Sequence, residues 1–422
     1  MHRPPFRLAL ATAVLGTVLA AAVAASAAGP AAHWNRISGP TQAGLQLGLA
    51  RTADGVLHVI WNRGATNTSV FETRLSPSGS TLGTSTVATG WNGNGGLALL
   101  AMPDRTLQLF AAGTNGIHTF TAPEGGRSWT ASAGPWGGAV AEASAVIGAT
   151  LTKEGQVVTA WRGSAAEGVP PASIPQNAYE GGMGESFLAT DAATGAVVLS
   201  GETNAGQGGA YTQQILPSPG AKVVVTPLAK DWSVSSSARL GAAGVFLANA
   251  DSKNVRLSRY GGSSKTLATG PYFSAAVCAG PAGRLWVSWG DATDGIFVTR
   301  SNRAAGAFEP VQKLKAPSGN GLTYMQCEGS TGPADLFADD GTGFWHTHVL
   351  AQLTVHASVA RGKATISVRD AGDPVPGAAV SVGGRHLKTG ASGSVAVALR
   401  KGSYSASVSA PGYATATAAF HV

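Results

Sequence analysis

Between residues 44 and 350, short apolar runs follow tight turns at regular intervals. The fullest is Thr52-Ala-Asp-Gly-Val-Leu-His-Val-Ile-Trp-Asn-Arg63, where a turn at Asp54-Gly55 feeds an alternating strand and a polar loop follows. Further turns of this kind stand at Pro103-Asp104, Glu154-Gly155, Thr194-Gly195, Ala243-Gly244, Ala282-Gly283 and Gly332-Pro333, each with a short apolar strand behind it. The interval is about 40–50 residues, the length of one four-stranded propeller blade. In the first repeat the alternation predicts strands over 44–50, 56–61, 69–75 and 84–89. The last repeat, 322–350, is one strand short. Residues 33–44 read as an isolated outer strand. An open ring leaves unpaired edges, so this N-terminal strand is expected to complete the last blade. The architecture expected for 28–351 is therefore an all-β propeller of six or seven blades, seven being preferred; the short repeat at 237–270 keeps six open.

After Leu350 the pattern shifts to short strands broken by Gly/Pro turns, which predicts a small β-sandwich over 352–422. Cleavage between 350 and 353 is expected to release it as a stable unit. The full chain of 422 residues holds 58 glycines and only 12% charged residues, against 44% hydrophobic ones, which suits a turn-rich extracellular β protein and excludes global disorder. The N-terminus carries His2, Arg3 and Arg7, an apolar run to about Ala25, and the small residues Ala25-Ser26-Ala27. This is the pattern of a secretory signal peptide over 1–27, and no other run is long enough to span a membrane once it is removed. The expected compartment is extracellular.

The formal charge of +7 is unevenly placed: 28–351 is balanced, whereas 352–422 carries seven basic and two acidic side chains. No dense basic stripe with interleaved aromatics is present, so nucleic acid is not an expected partner. The two cysteines, Cys278 and Cys327, sit in matching contexts, Cys278-Ala-Gly-Pro-Ala-Gly283 and Cys327-Glu-Gly-Ser-Thr-Gly332. Both fall near the ends of the innermost strands of consecutive blades, so a cross-blade disulfide is expected. Two cysteines alone do not complete a structural zinc site, and no metal or cofactor is expected.

Two stretches carry family resemblances. Thr119-Phe-Thr-Ala-Pro-Glu-Gly-Gly-Arg-Ser-Trp129 resembles the Asp-box of the sialidase-like (BNR-type) propellers, with Glu124 for the aspartate, Gly126 at the glycine, Ser128 for the threonine and Trp129 retained. A fainter echo runs over Arg300–Phe308, with Gly306 and Phe308 at corresponding places. The resemblance implies a structural turn with its Trp packed beneath. Residues 352–422, with Val368-Arg-Asp-Ala-Gly-Asp-Pro-Val-Pro-Gly-Ala-Ala-Val380, Lys388-Thr-Gly-Ala-Ser-Gly393 and Gly402–Tyr413, resemble a carboxypeptidase-regulatory-like, prealbumin-type module. That resemblance implies an accessory role in stability, spacing or adhesion.

In a propeller, the loops from each outermost strand to the next innermost one, and those after each second strand, open on one face. The first set here joins aromatics to glycines: Trp91-Asn92, Trp136, Tyr179, Trp232 and Tyr272. The second offers Arg63, Trp161-Arg162 and carboxylates. Aromatic rings beside amides and guanidinium groups suit carbohydrate, whose apolar faces lie on rings while planar polar groups take the hydroxyls. The same aromatics could instead wedge between blades. The expected function is non-catalytic binding of an extracellular glycan, or of a cell-wall or glycosylated partner, by a monomer. One rival is a glycoside hydrolase using two of Glu180, Glu202, Asp291 and Asp340 across a sugar. Against it, Asn35-Arg-Ile-Ser38 lacks the aromatic and the proline of the sialidase arginine motif, and no set of three arginines is evident. The other rival is a protein-interaction platform. His346-x-His348 puts two imidazoles on one strand face, at most half of a metal site.

Overall fold

The computed structural model describes residues 33–39, 46–62, 69–90, 96–113, 116–133, 147–161, 164–167, 171–172, 186–203, 209–218, 223–224, 231–290, 295–318, 321–322 and 324–422. The described chain is all-β. Up to Val349 its strands form seven four-stranded antiparallel sheets, an arrangement consistent with a β-propeller. Each turn-and-strand unit read from the sequence supplies the second strand of one sheet; in the first, Leu57–Asn62 lies between Gly48–Arg51 and Val70–Leu75, with Thr81–Ala88 outermost. The weak repeat is a full sheet, Asp231–Ala238, Val245–Asp251, Asn254–Arg259 and Ser264–Thr269. The last sheet takes Tyr324–Glu328, Ala334–Asp339 and Phe344–Val349 from the C-terminal end of the ring. Its fourth strand is Asn35–Arg36, with Asn35 opposite His346 and Arg36 opposite Trp345.

Second strands are buried on both faces, which is why their sequences run apolar rather than strictly alternating. The innermost strands approach so closely that a Cβ on Gly48 would lie 3.1 Å from Leu99 Cβ in the next sheet. Side chains stitch these strands together. Ser235 Oγ donates to Val277 O and accepts from Val277 N, joining the fifth sheet to the sixth. Gln326 does the same across the closure, accepting from Leu47 N at 2.7 Å and donating to Leu47 O at 3.3 Å. Cys278 and Cys327 form a disulfide, with Cα atoms 5.7 Å apart, between the sixth and seventh sheets.

Residues 353–422 build two further sheets around one shared apolar cluster that includes Ile366, Val380, Val397 and Val408. This segment is not a loose appendage. Ala351 is fully buried, its carbonyl accepts from Ala414 N at 2.8 Å, and Tyr413 packs on the apolar clusters of both parts. Between the parts lies a buried charge network. Asp370 Oδ2 meets Arg284 Nε at 2.7 Å, Arg300 Nη2 at 2.6 Å and the Tyr413 hydroxyl at 2.7 Å. Arg284 Nη2 and the Arg303 backbone N–H both donate to Asp373 Oδ2. The Arg300 guanidinium lies over the Trp286 ring at 5.2 Å and the Tyr413 ring at 4.9 Å. Release of the segment by cleavage at 350–353 thus also requires this network to be broken.

Glu309 lies at the edge of the network. Burial, reinforced by a hydrogen bond to Asp370, pushes its pKa up from 4.5 to about 9, so it is neutral where its unfolded counterpart is charged. Between these values the native state holds a proton that the unfolded state has lost, so this group makes stability fall as pH rises from about 4.5 to about 9. Glu309→Gln keeps a neutral side chain in place and removes the linkage. Its melting temperature should vary less between pH 5 and pH 9 than that of the wild-type chain; parallel profiles would show that Glu309 is ionised in the fold.

Candidate functional site

A cavity of about 270 Å³ occupies the ring centre, lined by the innermost strands of all seven sheets: Leu47, Leu99, Ala149, Phe187, Ser236, Val277 and Gln326 are among its walls. Its lining is mixed in polarity. Its two mouths are not equivalent. The C-terminal segment docks on the side where first strands turn into second ones and third strands lead to fourth ones, through Arg284, Arg300, Arg303 and Glu309. The opposite side is where the sequence places its aromatic and carboxylate candidates.

Most of those candidates lie outside the described residues: Arg63, Trp91, Asn92, Trp136, Arg162, Tyr179, Glu180 and Asp291. Trp161 ends the strand Val157–Trp161, Glu202 lies near the end of Val197–Thr203, and Trp232 lies near the start of Asp231–Ala238. All three strand ends belong to the undocked side. Tyr272 is half-buried and meets Trp289 and Phe297 edge-on, with ring centroids 6.5 Å and 6.0 Å apart, against the apolar cluster shared by the fifth and sixth sheets. Its ring is taken up in packing between sheets.

Asp251, Asp339 and Asp340 at this rim shape turns. Asp340 is buried and accepts from the Thr342 backbone N–H at 2.9 Å and its hydroxyl at 2.7 Å. Burial raises its pKa, but hydrogen bonds from Ser318 and Thr342 outweigh this and hold the carboxyl below its usual range. Such a group is a poor proton donor near neutral pH. Asp251 accepts from Lys253 N at 2.7 Å and Asn254 N at 2.6 Å, and Asp339 from Gly341 N at 2.9 Å. A carboxylate at this point of a blade closes an Asx-type turn.

The two histidines singled out from the sequence are locked within the last sheet. His346 Nε2 and His348 Nδ1 both meet Asp335 Oδ1, at 2.8 Å and 2.9 Å. Among the described residues no group of three or more His, Cys, Asp or Glu is arranged to hold a metal ion. Arg51 of the first sheet bridges Asp335 and Glu328 of the last. Burial works against its charge, yet the two carboxylates raise its pKa above the ordinary arginine value. A second interior pair, His58 Nδ1 and Glu72 Oε1 at 2.5 Å, is also fully enclosed.

Sequence reasoning missed both charge networks. One signal for the inter-part network was visible: Asp370 and Asp373 are the only acidic residues after position 351. The Asp-box stretch behaves as a structural element in part. Trp129 packs against the cluster shared by the first two sheets and donates to Glu72 Oε2 at 3.2 Å. Glu124, however, reaches outward to Arg105 and to the Ala53 N–H of the first sheet. In the second echo, Asn302 Oδ1 accepts from Gly306 N at 2.9 Å, so the self-bonded turn is built from an amide. Arg36 donates to Thr342 O and lies over Trp345, so it braces the last sheet and does not face the channel.

Several solved structures align with the chain, and one of them, at a TM-score above 0.5, shares this fold. The chain is similar to the BP39L lectin from Burkholderia pseudomallei, at 13% identity and a TM-score of 0.51, with 79% of this chain and 97% of that one covered. It is also similar to a mutant of the Aleuria aurantia lectin in complex with Fucα1-6GlcNAc (10% identity, TM-score 0.44, 84% and 98% covered). A Hadza microbial sialidase aligns at 10% identity with a TM-score of 0.42, over 72% of this chain and 65% of that one. Neither a protein-family model nor a curated protein sequence matches the chain. Among the described residues no helix is long and apolar enough to cross a membrane.

Proposed function

We propose that this is a secreted glycan-binding protein: a seven-bladed propeller that binds extracellular carbohydrate on one face and carries a prealbumin-type sandwich on the other. The observation that carries this reading is the asymmetry of the ring. The sandwich occupies the side formed by the Arg284 and Arg300 turns, opposite the side to which the sequence assigns Trp91, Asn92, Trp136 and Tyr179. Aromatics beside amides at a channel mouth match the chemistry of sugar capture. BP39L, which has this fold, is a lectin, and that supports the reading without supplying a sugar, because fold alone does not specify function. The hydrolase reading loses one of its four carboxylates, since Asp340 is engaged in its own turn.

The test is a glycan array probed with the full secreted chain and with Trp91→Ala/Trp136→Ala. Binding to a defined glycan, weakened about tenfold or more in the variant at unchanged melting temperature, is the expected result, because central aromatics dominate such contacts. Binding that survives both substitutions, or no glycan bound at all, overturns the proposal.

A further inference from the structure

Docking of the C-terminal module consumes both of its acidic side chains. Asp370 is buried against Arg284, Arg300 and Tyr413, and Asp373 is paired with Arg284 and the Arg303 N–H. The module's remaining charged side chains are all basic, and most of them lie at one end. The strand Lys363–Asp370 runs from the docking interface to the far end of the module, about 24 Å at ~3.4 Å per residue. Lys363 starts that strand, and Arg361 stands at the apex of the hairpin before it with φ 50°. Leu399 N bonds to Gly362 O, which brings the Arg400-Lys401 turn alongside. Gly383 lies against Leu399 and Tyr404, so the neighbouring turn adds Arg385. All five cations are exposed. Beside the cations, the half-buried rings of Tyr404 and Phe420 stack at 5.9 Å.

We infer that this tip, Arg361, Lys363, Arg385, Arg400 and Lys401, binds an anionic polysaccharide. Repeated acidic groups on a sugar chain match cations that project from separate turns, and the aromatic pair offers an apolar surface for a ring face. The exposed apolar residue nearby is a single valine, Val359, too little to enter a bilayer. The tip points away from the ring and acts independently of the loop face, anchoring the chain to an acidic matrix while the opposite side stays open.

The experiment compares the full chain on immobilised polygalacturonate, heparin and neutral dextran, the first two separating carboxylate from sulfate chemistry. The tip variant is Arg361→Gly/Lys363→Ser/Arg400→Ser/Lys401→Ser, glycine being the residue that suits a positive φ. A charge-matched variant, Lys153→Ser/Lys253→Ser/Lys315→Ser/Lys388→Ser, removes four exposed cations elsewhere. The expected result is binding to an acidic polysaccharide but not to dextran, weakened about tenfold or more both by raising salt from ~50 to ~300 mM and by the tip substitutions, with the charge-matched variant within about twofold of wild type. Trp91→Ala/Trp136→Ala should bind the acidic polymer unchanged. Equal losses in the two quadruple variants would reduce the effect to net charge and overturn the proposal. So would tighter binding to duplex DNA or to phosphatidylserine vesicles, or no binding to either acidic polymer.

Discussion

Asp370→Ala is expected to be among the most damaging single substitutions in this chain, costing about 3–5 kcal/mol, because it strands buried positive charge. Arg284 and Arg300 are both almost fully enclosed, and Asp370 Oδ2 is a shared counter-charge at 2.7 Å and 2.6 Å. With it removed, Arg284 retains Asp373, whereas Arg300 is left with Glu309, whose burial disfavours its charged form, the Gly332 carbonyl at 3.4 Å and the Trp286 and Tyr413 rings. The loss also frees the Tyr413 hydroxyl at the junction of the two apolar clusters. Two readouts separate this from a generic core defect. Wild-type protein should melt in one transition and resist proteolysis at 350–353, where Ala351 and Leu353 are buried. The variant should melt in two steps and be cut there. A single transition lowered by less than about 1 kcal/mol would show that the two parts are held by apolar packing alone.

Asp335→Ala should cost a similar amount, about 3–5 kcal/mol, at the ring closure. Asp335 accepts from both His346 and His348 and pairs with Arg51 of the first sheet. Burial pushes its pKa up, but the hydrogen bonds and charges of the two histidines prevail and hold it well below the usual carboxylate range. A depressed folded pKa contributes stability above the unfolded value of 3.8 that is lost as pH falls through the folded one. The wild-type chain should therefore lose stability in acid through this group, and Asp335→Ala should lose less over the same range while being weaker near neutrality. The matched comparison is Glu328→Ala, which leaves Asp335 on Arg51 and should cost less. Equal costs for the two would place the closure energy in Arg51 alone. The network gives the two histidines on one strand face a structural role: they are donors to a buried carboxylate that joins the last sheet to the first.

Much of the ring was legible in the sequence because each blade repeats one local device, a tight turn, with glycine in six of the seven, before a largely buried strand. That device has a short range, so a window of ten residues around Asp54-Gly55 or Ala282-Gly283 reveals it. The Cys278–Cys327 pairing was legible for a related reason: matching contexts in successive repeats place both residues at equivalent points of adjacent innermost strands. The closing strand could be inferred because an unpaired edge is costly; among the described residues of the predicted segment Asn35–Arg36 forms the strand, and Ile37 N bonds to Phe344 O. The roles of single polar side chains were not legible. Tyr272 reads as a loop aromatic and packs between sheets; Asp340 reads as a catalytic candidate and closes its own turn.

The sequence by itself determined the all-β class, the repeat and the disulfide partners, since all three follow from local periodicity and composition. The tertiary structure alone decided which charges meet. Arg51 with Asp335, and Arg300 with Asp370, are separated by 284 and 70 residues, and no local pattern encodes such a distance. Their pairing arises only when the ring closes and the C-terminal module settles on one side. Burial then makes each unpaired charge costly enough to hold that arrangement.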